Sequence, residues 1–138
     1  MSGSVVSSRA KGMVKVLMRW MAVVFWMGVI FALSAIPSLA SPFEPIYDFV
    51  LRKVAHVTVY VVLTLLLYGA LRPHMANSAH AWLPAMLIAV LYACSDEWHQ
   101  TFVPGREGTV HDVVIDGIGV MGAWMVASLI RVKETWRP

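Results

Sequence analysis

The chain has 138 residues, of which 59% are hydrophobic and only 14% charged. A soluble domain carries about a quarter charged residues, so this chain lacks the polar surface of a water-soluble fold and reads as an integral membrane protein. The net charge of +3 does not point to nucleic acid as a partner, because the basic residues form no long run and sit mainly near the two ends, as suits the inner face of a membrane.

A spanning helix needs about 20 mostly apolar residues, and four segments approach that length: 17–36, 54–71, 79–97 and 110–130. The first, Leu17 to Ile36, ends before Pro37. Arg9, Lys11, Lys15 and Arg19 ahead of it, and Ser38-Leu39-Ala40 behind it, also fit a cleaved signal peptide. Its length and bulky aromatics favour a retained anchor. Ser41-Pro42-Phe43-Glu44 reads as a helix start, with a capping Ser and Pro at the first helical position. A short interfacial helix is expected there, before the second span. That span, Val54 to Leu71, carries His56 and Thr58. The third is clean only from Ala81 to Cys94 and reaches spanning length by taking in polar residues; Cys94 is the sole cysteine, which excludes an internal disulfide. Pro104-Gly105 reads as a tight turn, and Thr109 to Asp112 has capping-box spacing. The fourth span, Val110 to Ile130, contains Asp112 and Asp116.

The fold expected is an all-α, four-helix membrane bundle over residues 17–130, flanked by basic tails at 1–16 and 131–138. Lys and Arg divide eight against three between the two sides of such a bundle, which puts both termini in the cytoplasm. The aromatic residues, including Trp20, Trp26, Trp82 and Trp98, read mostly as interfacial anchors or core filling.

With that topology, Glu44, Asp48, Asp96, Glu97, Glu107, Asp112 and Asp116 all fall in outer loops or the outward halves of helices, level with Lys53, His56 and Arg106. Lys53, His56, Tyr60 and Thr64 share one helix face, a polar stripe on an apolar rod. Asp112, Asp116, Gly119, Ala123 and Ala127 share another, acidic above and small below. Tyr92, Asp96, His99 and Gln100 also lie within helical reach of one another. A carboxylate near the bilayer centre costs roughly 3 kcal/mol on insertion scales, so Asp116 is expected to face the bundle or a wet cavity. Each group has a plainer reading. Asp112 serves as a helix cap, His56 as a hydrogen-bonded core residue, Asp96 and Glu97 as solvated interface residues. Arg106 then only pairs with those carboxylates.

Arg52-Lys53-Val54-Ala55-His56 with Tyr60, and Ser95-Asp96-Glu97-Trp98-His99-Gln100, resemble the VanZ-like membrane proteins. So do Phe102-Val103-Pro104-Gly105-Arg106 and Asp112 to Asp116 followed by Gly117, Gly119 and Gly122. The resemblance runs from Arg52 to Gly122. It implies a bacterial inner membrane, a link to the cell envelope and, through the glycopeptide-resistance protein that gives the family its name, a link to glycopeptide tolerance. It supplies no reaction. Two positions depart from the family pattern: Arg52 stands where an Asp is common, and Asp116 where an Asn is common.

Three functions compete. In the first, a polar site of Lys53, His56, Tyr60, Asp96, Glu97, Gln100, Arg106, Asp112 and Asp116 binds an envelope-associated ligand. In the second, the protein is an enzyme on a lipid-linked or phosphate-bearing substrate. Lys53 and Arg106 then hold the anion, His56 or Glu97 moves a proton, and Asp96 and Asp112 orient these groups or hold a divalent cation. Ser95 is the candidate nucleophile, and no cofactor is assigned. In the third, the charges form a structural network or dock a partner. In every case Lys53, His56, Glu97, Arg106 and Asp112 are expected in one outward-facing pocket, with Arg106 reaching Asp96, Glu97 or Asp112. The topology is checked by cysteine accessibility in a Cys94→Ser background. Ser2→Cys and Arg137→Cys are expected to react only after the inner face is exposed, and labelling from the periplasm would reverse the assignment.

Overall fold

The computed structural model describes residues 2–37 and 45–135. It contains four α-helices: α1 (Ser2–Ser34), α2 (Pro45–Leu71), α3 (Trp82–Gln100) and α4 (Val110–Thr135). Two 3₁₀ turns, Arg72–His74 and Ser78–Ala81, link α2 to α3. Four stretches are long and apolar enough to cross a membrane, Arg9–Ser34, Val50–His74, Ser78–Gln100 and Val110–Ile130, the second and third taking in the 3₁₀ turns beside α2 and α3. In lipid, every backbone N–H and C=O must find its partner inside the segment, which an α-helix achieves. Large apolar side chains such as Phe25, Leu91 and Leu129 point outward, as expected of a lipid-facing surface. The expected four-helix membrane bundle is therefore the architecture observed.

The helix limits differ from the sequence reading in instructive ways. The α1 helix runs back to Ser2 through the basic stretch. The expected interfacial helix is not a separate element among the described residues, because α2 is continuous from Pro45. No Gly or Pro interrupts it between Ile46 and Tyr68, so nothing breaks the i to i−4 ladder. The proposed start at Ser41-Pro42-Phe43-Glu44, the Ser38-Leu39-Ala40 stretch and the side chain of Asp48 lie outside the described residues.

Side-chain contacts fix the helix directions. Trp26 Nε1 donates to the Val59 carbonyl at 2.9 Å, tying α1 to α2. Tyr92 Oη donates to the Met27 carbonyl at 2.6 Å, and Phe31 stacks on His99 at 4.3 Å, so α1 and α3 run in the same direction. Tyr68 stacks on Trp82 at 3.9 Å, where α2 gives way to α3. Lys53 meets Asp112 and His56 meets Asp116, so α2 and α4 are also parallel. The bundle is up-down-up-down. One end gathers the C-terminal ends of α1 and α3 and the first turns of α4.

The core is built from stripes at helical spacing: Tyr60, Leu63, Leu67 and Ala70 on α2, and Ala85, Ala89 and Ala93 on α3. The small α3 ridge lets its neighbours approach closely. The most extensive helix pair is α2 with α4. At its tightest point Gly119 lies against the backbone of Val57, where an added Cβ would run into the Val57 carbonyl. Gly122, one turn on, has open space around it. Gly119→Val is therefore expected to lower stability by about 1–3 kcal/mol through overpacking, while Gly122→Ala is expected to leave it unchanged or slightly raised. Thermal denaturation in detergent, followed by helicity, separates the two.

Candidate functional site

The polar end is assembled from the turn that joins α3 to α4. The last residues of α3 wind down through three i to i−3 backbone bonds, from Thr101, Phe102 and Val103. Val103 to Arg106 then forms a β-turn closed by Arg106 N–H on the Val103 carbonyl at 3.1 Å. Pro104 takes the second position and Gly105 the third, with φ of 78°, as a type II turn requires. Gly108 lies flat on α3, where a Cβ would strike the Glu97 carbonyl. The loop is thus folded back over the helix ends.

Thr109 caps α4, its Oγ1 accepting from Asp112 N–H at 3.1 Å. The expected capping box is only half formed. The Thr109 N–H donates to Glu97 Oε2 at 3.0 Å instead, and the Asp112 carboxylate is taken by Lys53. A local motif has been opened so that its two free halves bond to α3 and α2.

Around Glu97 and Asp116 the contacts converge. Asp116 is wholly buried, and Asp96 and Glu97 are each 4% exposed. His56 Nδ1 lies 3.0 Å from Asp116 Oδ1 and 3.8 Å from Glu97 Oε1. Gln100 Nε2 donates to Glu97 Oε1 at 3.0 Å and to Asp96 Oδ2 at 3.1 Å. Tyr60 is buried just below, on the α2 stripe. The structure therefore brings Lys53 to Asp112, His56 to Asp116 and Glu97, and Gln100 to Asp96 and Glu97. Buried polar atoms usually have partners. Yet Tyr60 Oη, Asp96 Oδ1 and Asp116 Oδ2 are buried without a hydrogen bond among the described residues.

Arg106 corrects the sequence reading. It makes no ion pair with Asp96, Glu97 or Asp112 among the described residues. Its Nε donates to the Ile36 carbonyl at 3.2 Å and its Nη2 to the Leu33 carbonyl at 3.0 Å. Those are acceptors at the end of α1, where the helix dipole favours a cation. Burial, with the nearby Arg52, pulls the Arg106 guanidinium below its ordinary pKa, while Asp96 and Glu97 act the other way. Ser95 is removed from the cluster, being exposed and bonded to the Tyr92 carbonyl at 2.8 Å. Arg52 was not among the candidate site residues read from sequence, although it adjoins Lys53. It lines an open cleft of about 520 Å³ together with Lys53, His56, Gln100, Gly105, Arg106, Glu107 and Asp112.

A smaller chamber of about 160 Å³ adjoins it. Arg52, His56 and Arg106 line both, and the chamber adds the apolar Ile30, Leu33, Ala55 and Val59 with Tyr60 and Asp96.

The VanZ/LLP1 family model matches residues 14–131, which takes in all four helices and the polar end. The chain belongs to the VanZ/LLP1 family. The match extends the VanZ-like resemblance, first legible from Arg52 to Gly122, over most of the chain. No curated protein and no solved structure matches it. In this chain Arg106 ties the polar end to the end of α1. Arg106→Ala is expected to raise deuterium uptake in peptides covering residues 30–36 while uptake along α3 stays unchanged. Equal uptake in the two proteins would show that the guanidinium does not hold the α1 end.

Proposed function

We propose that the cleft at the polar end binds the anionic headgroup of an envelope lipid, one bearing phosphate. The observation that carries this reading is the convergence of Arg52, Lys53 and Arg106 on one open cleft beside His56. Arg52 lies close enough to disfavour the charge on Arg106, and an anion in the cleft relieves that repulsion. Guanidinium offers planar paired donors that match phosphate oxygens. The adjoining chamber, lined by Ile30, Leu33, Ala55 and Val59, is apolar enough for the start of a hydrocarbon chain. A headgroup cleft beside an apolar chamber suits an amphiphile and is poorly matched to a free sugar or a peptide.

The excess of Lys and Arg on the opposite side supports an outward-facing cleft in a bacterial inner membrane, with both termini cytoplasmic. A ligand at that surface belongs to the cell envelope, and a contribution to glycopeptide tolerance would act through it. Binding is favoured over catalysis because Ser95 points away from the cluster.

The test is thermal stability of purified protein in detergent with a long-chain polyprenyl phosphate, the matching neutral polyprenol and inorganic phosphate. A ligand at a hundredfold excess over its Kd stabilises by about 2.7 kcal/mol. The phosphorylated lipid is expected to raise Tm by several degrees and the neutral alcohol to do nothing. Arg52→Gln is expected to abolish most of that shift. Equal shifts from alcohol and phosphate would leave only apolar binding.

A further inference from the structure

We propose that His56, Glu97 and Asp116 form a binding site for one divalent transition-metal cation, of the zinc or manganese class, where α2, α3 and α4 meet. Each helix supplies one ligand, and one ligating atom from each lies within 4.8 Å of the others. Ligand atoms bonded at about 2.0–2.1 Å to a tetrahedral ion are separated by roughly 3.3 Å. The His56 Nδ1 distances of 3.0 Å to Asp116 Oδ1 and 3.8 Å to Glu97 Oε1 bracket that value. Small side-chain rotations therefore suffice to admit an ion.

A hydrogen bond between imidazole and carboxylate is the plainer account of these distances, but it leaves two observations unexplained. Asp116 Oδ2 is wholly buried and has no hydrogen-bond partner among the described residues. A purely structural pair would normally satisfy both oxygens. The charge is also unbalanced. Asp96, Glu97 and Asp116 are buried together, His56 lies within ion-pair distance of Glu97 and Asp116, and Lys53 pairs with Asp112. With His56 neutral as a ligand, a dication reduces that imbalance, which is costly in a membrane interior.

The surroundings have the character of a supporting shell. Gln100 Nε2 and the Thr109 N–H fix the two oxygens of Glu97, as outer groups orient metal-bound carboxylates. One imidazole with two carboxylates suits zinc or manganese better than calcium or magnesium, which prefer all-oxygen sets. Three protein ligands leave a position open. Because His56 also lines the cleft, that position adjoins the proposed anion site. The metal site does not depend on that anion reading.

The experiment uses the full chain in detergent, stripped with chelator and free of added lipid or phosphate. Titration with Co²⁺ and Zn²⁺ is followed by visible absorption, calorimetry and retained metal after gel filtration. One metal per chain is expected, with Asp116→Asn weakening binding at least 30-fold at unchanged helicity. His111→Ala, an exposed imidazole outside the cluster, is expected to bind like the parent. His56→Gln answers the same question if Asp116→Asn does not accumulate. Absence of retained metal, or affinity unchanged in both Asp116→Asn and His56→Gln, would overturn the site. The polyprenyl phosphate shift, measured separately on chelated protein, shows whether the anion reading fails or stands alone.

Discussion

The closeness of α2 and α4 at Gly119 sets the rest of the polar end. With no side chain there, the two parallel helices meet backbone to backbone at Val57. One turn toward the polar end, that register delivers His56 to Asp116, and one turn further, Lys53 to Asp112. A membrane interior gives an ionisable group no water to fall back on, so its partner must come from another helix. The small residues that permit contact and the charged residues that need it lie on the same faces for that reason.

The same constraint explains why the α3–α4 turn is folded over the bundle end. A free capping box at Thr109 would satisfy α4 alone. Giving its N–H to Glu97 and its carboxylate to Lys53 joins three helices with groups that α4 already had to place there. Arg106 extends the joinery to α1 by bonding the Leu33 carbonyl of its last turn and the Ile36 carbonyl just beyond it. The result is a polar layer whose members are held mainly by neighbours on other elements.

Within that layer, satisfaction is incomplete in one place. The unbonded atoms of Tyr60, Asp96 and Asp116 lie below a cleft rich in basic groups, whereas the lower bundle is filled with alanine and leucine. Buried orphans are destabilising; those of Tyr60, Asp96 and Asp116 gather at this level, while Trp82 Nε1 is a further one at the opposite end of the bundle and His99 Nε2 another on α3. Asp116, wholly buried, adds a carboxylate at that level.

The sequence by itself determined the number and nature of the spanning helices. Apolar length is a one-dimensional property, and lipid leaves the backbone no alternative to internal hydrogen bonding. It also determined that His56 and Tyr60 share a face with Lys53, because 3.6-residue periodicity is local. The tight turn at Pro104-Gly105 was legible for the same reason. Tertiary structure alone decided partners. Nothing local distinguishes Asp112 as half of a capping box from Asp112 as the partner of Lys53, since the choice depends on the distance between α2 and α4. Arg106 could be assigned to a carboxylate from sequence because opposite charges were nearby in number. It went to the Leu33 and Ile36 carbonyls because the folded turn places it over the end of α1, a juxtaposition seventy residues apart in the chain that only packing creates.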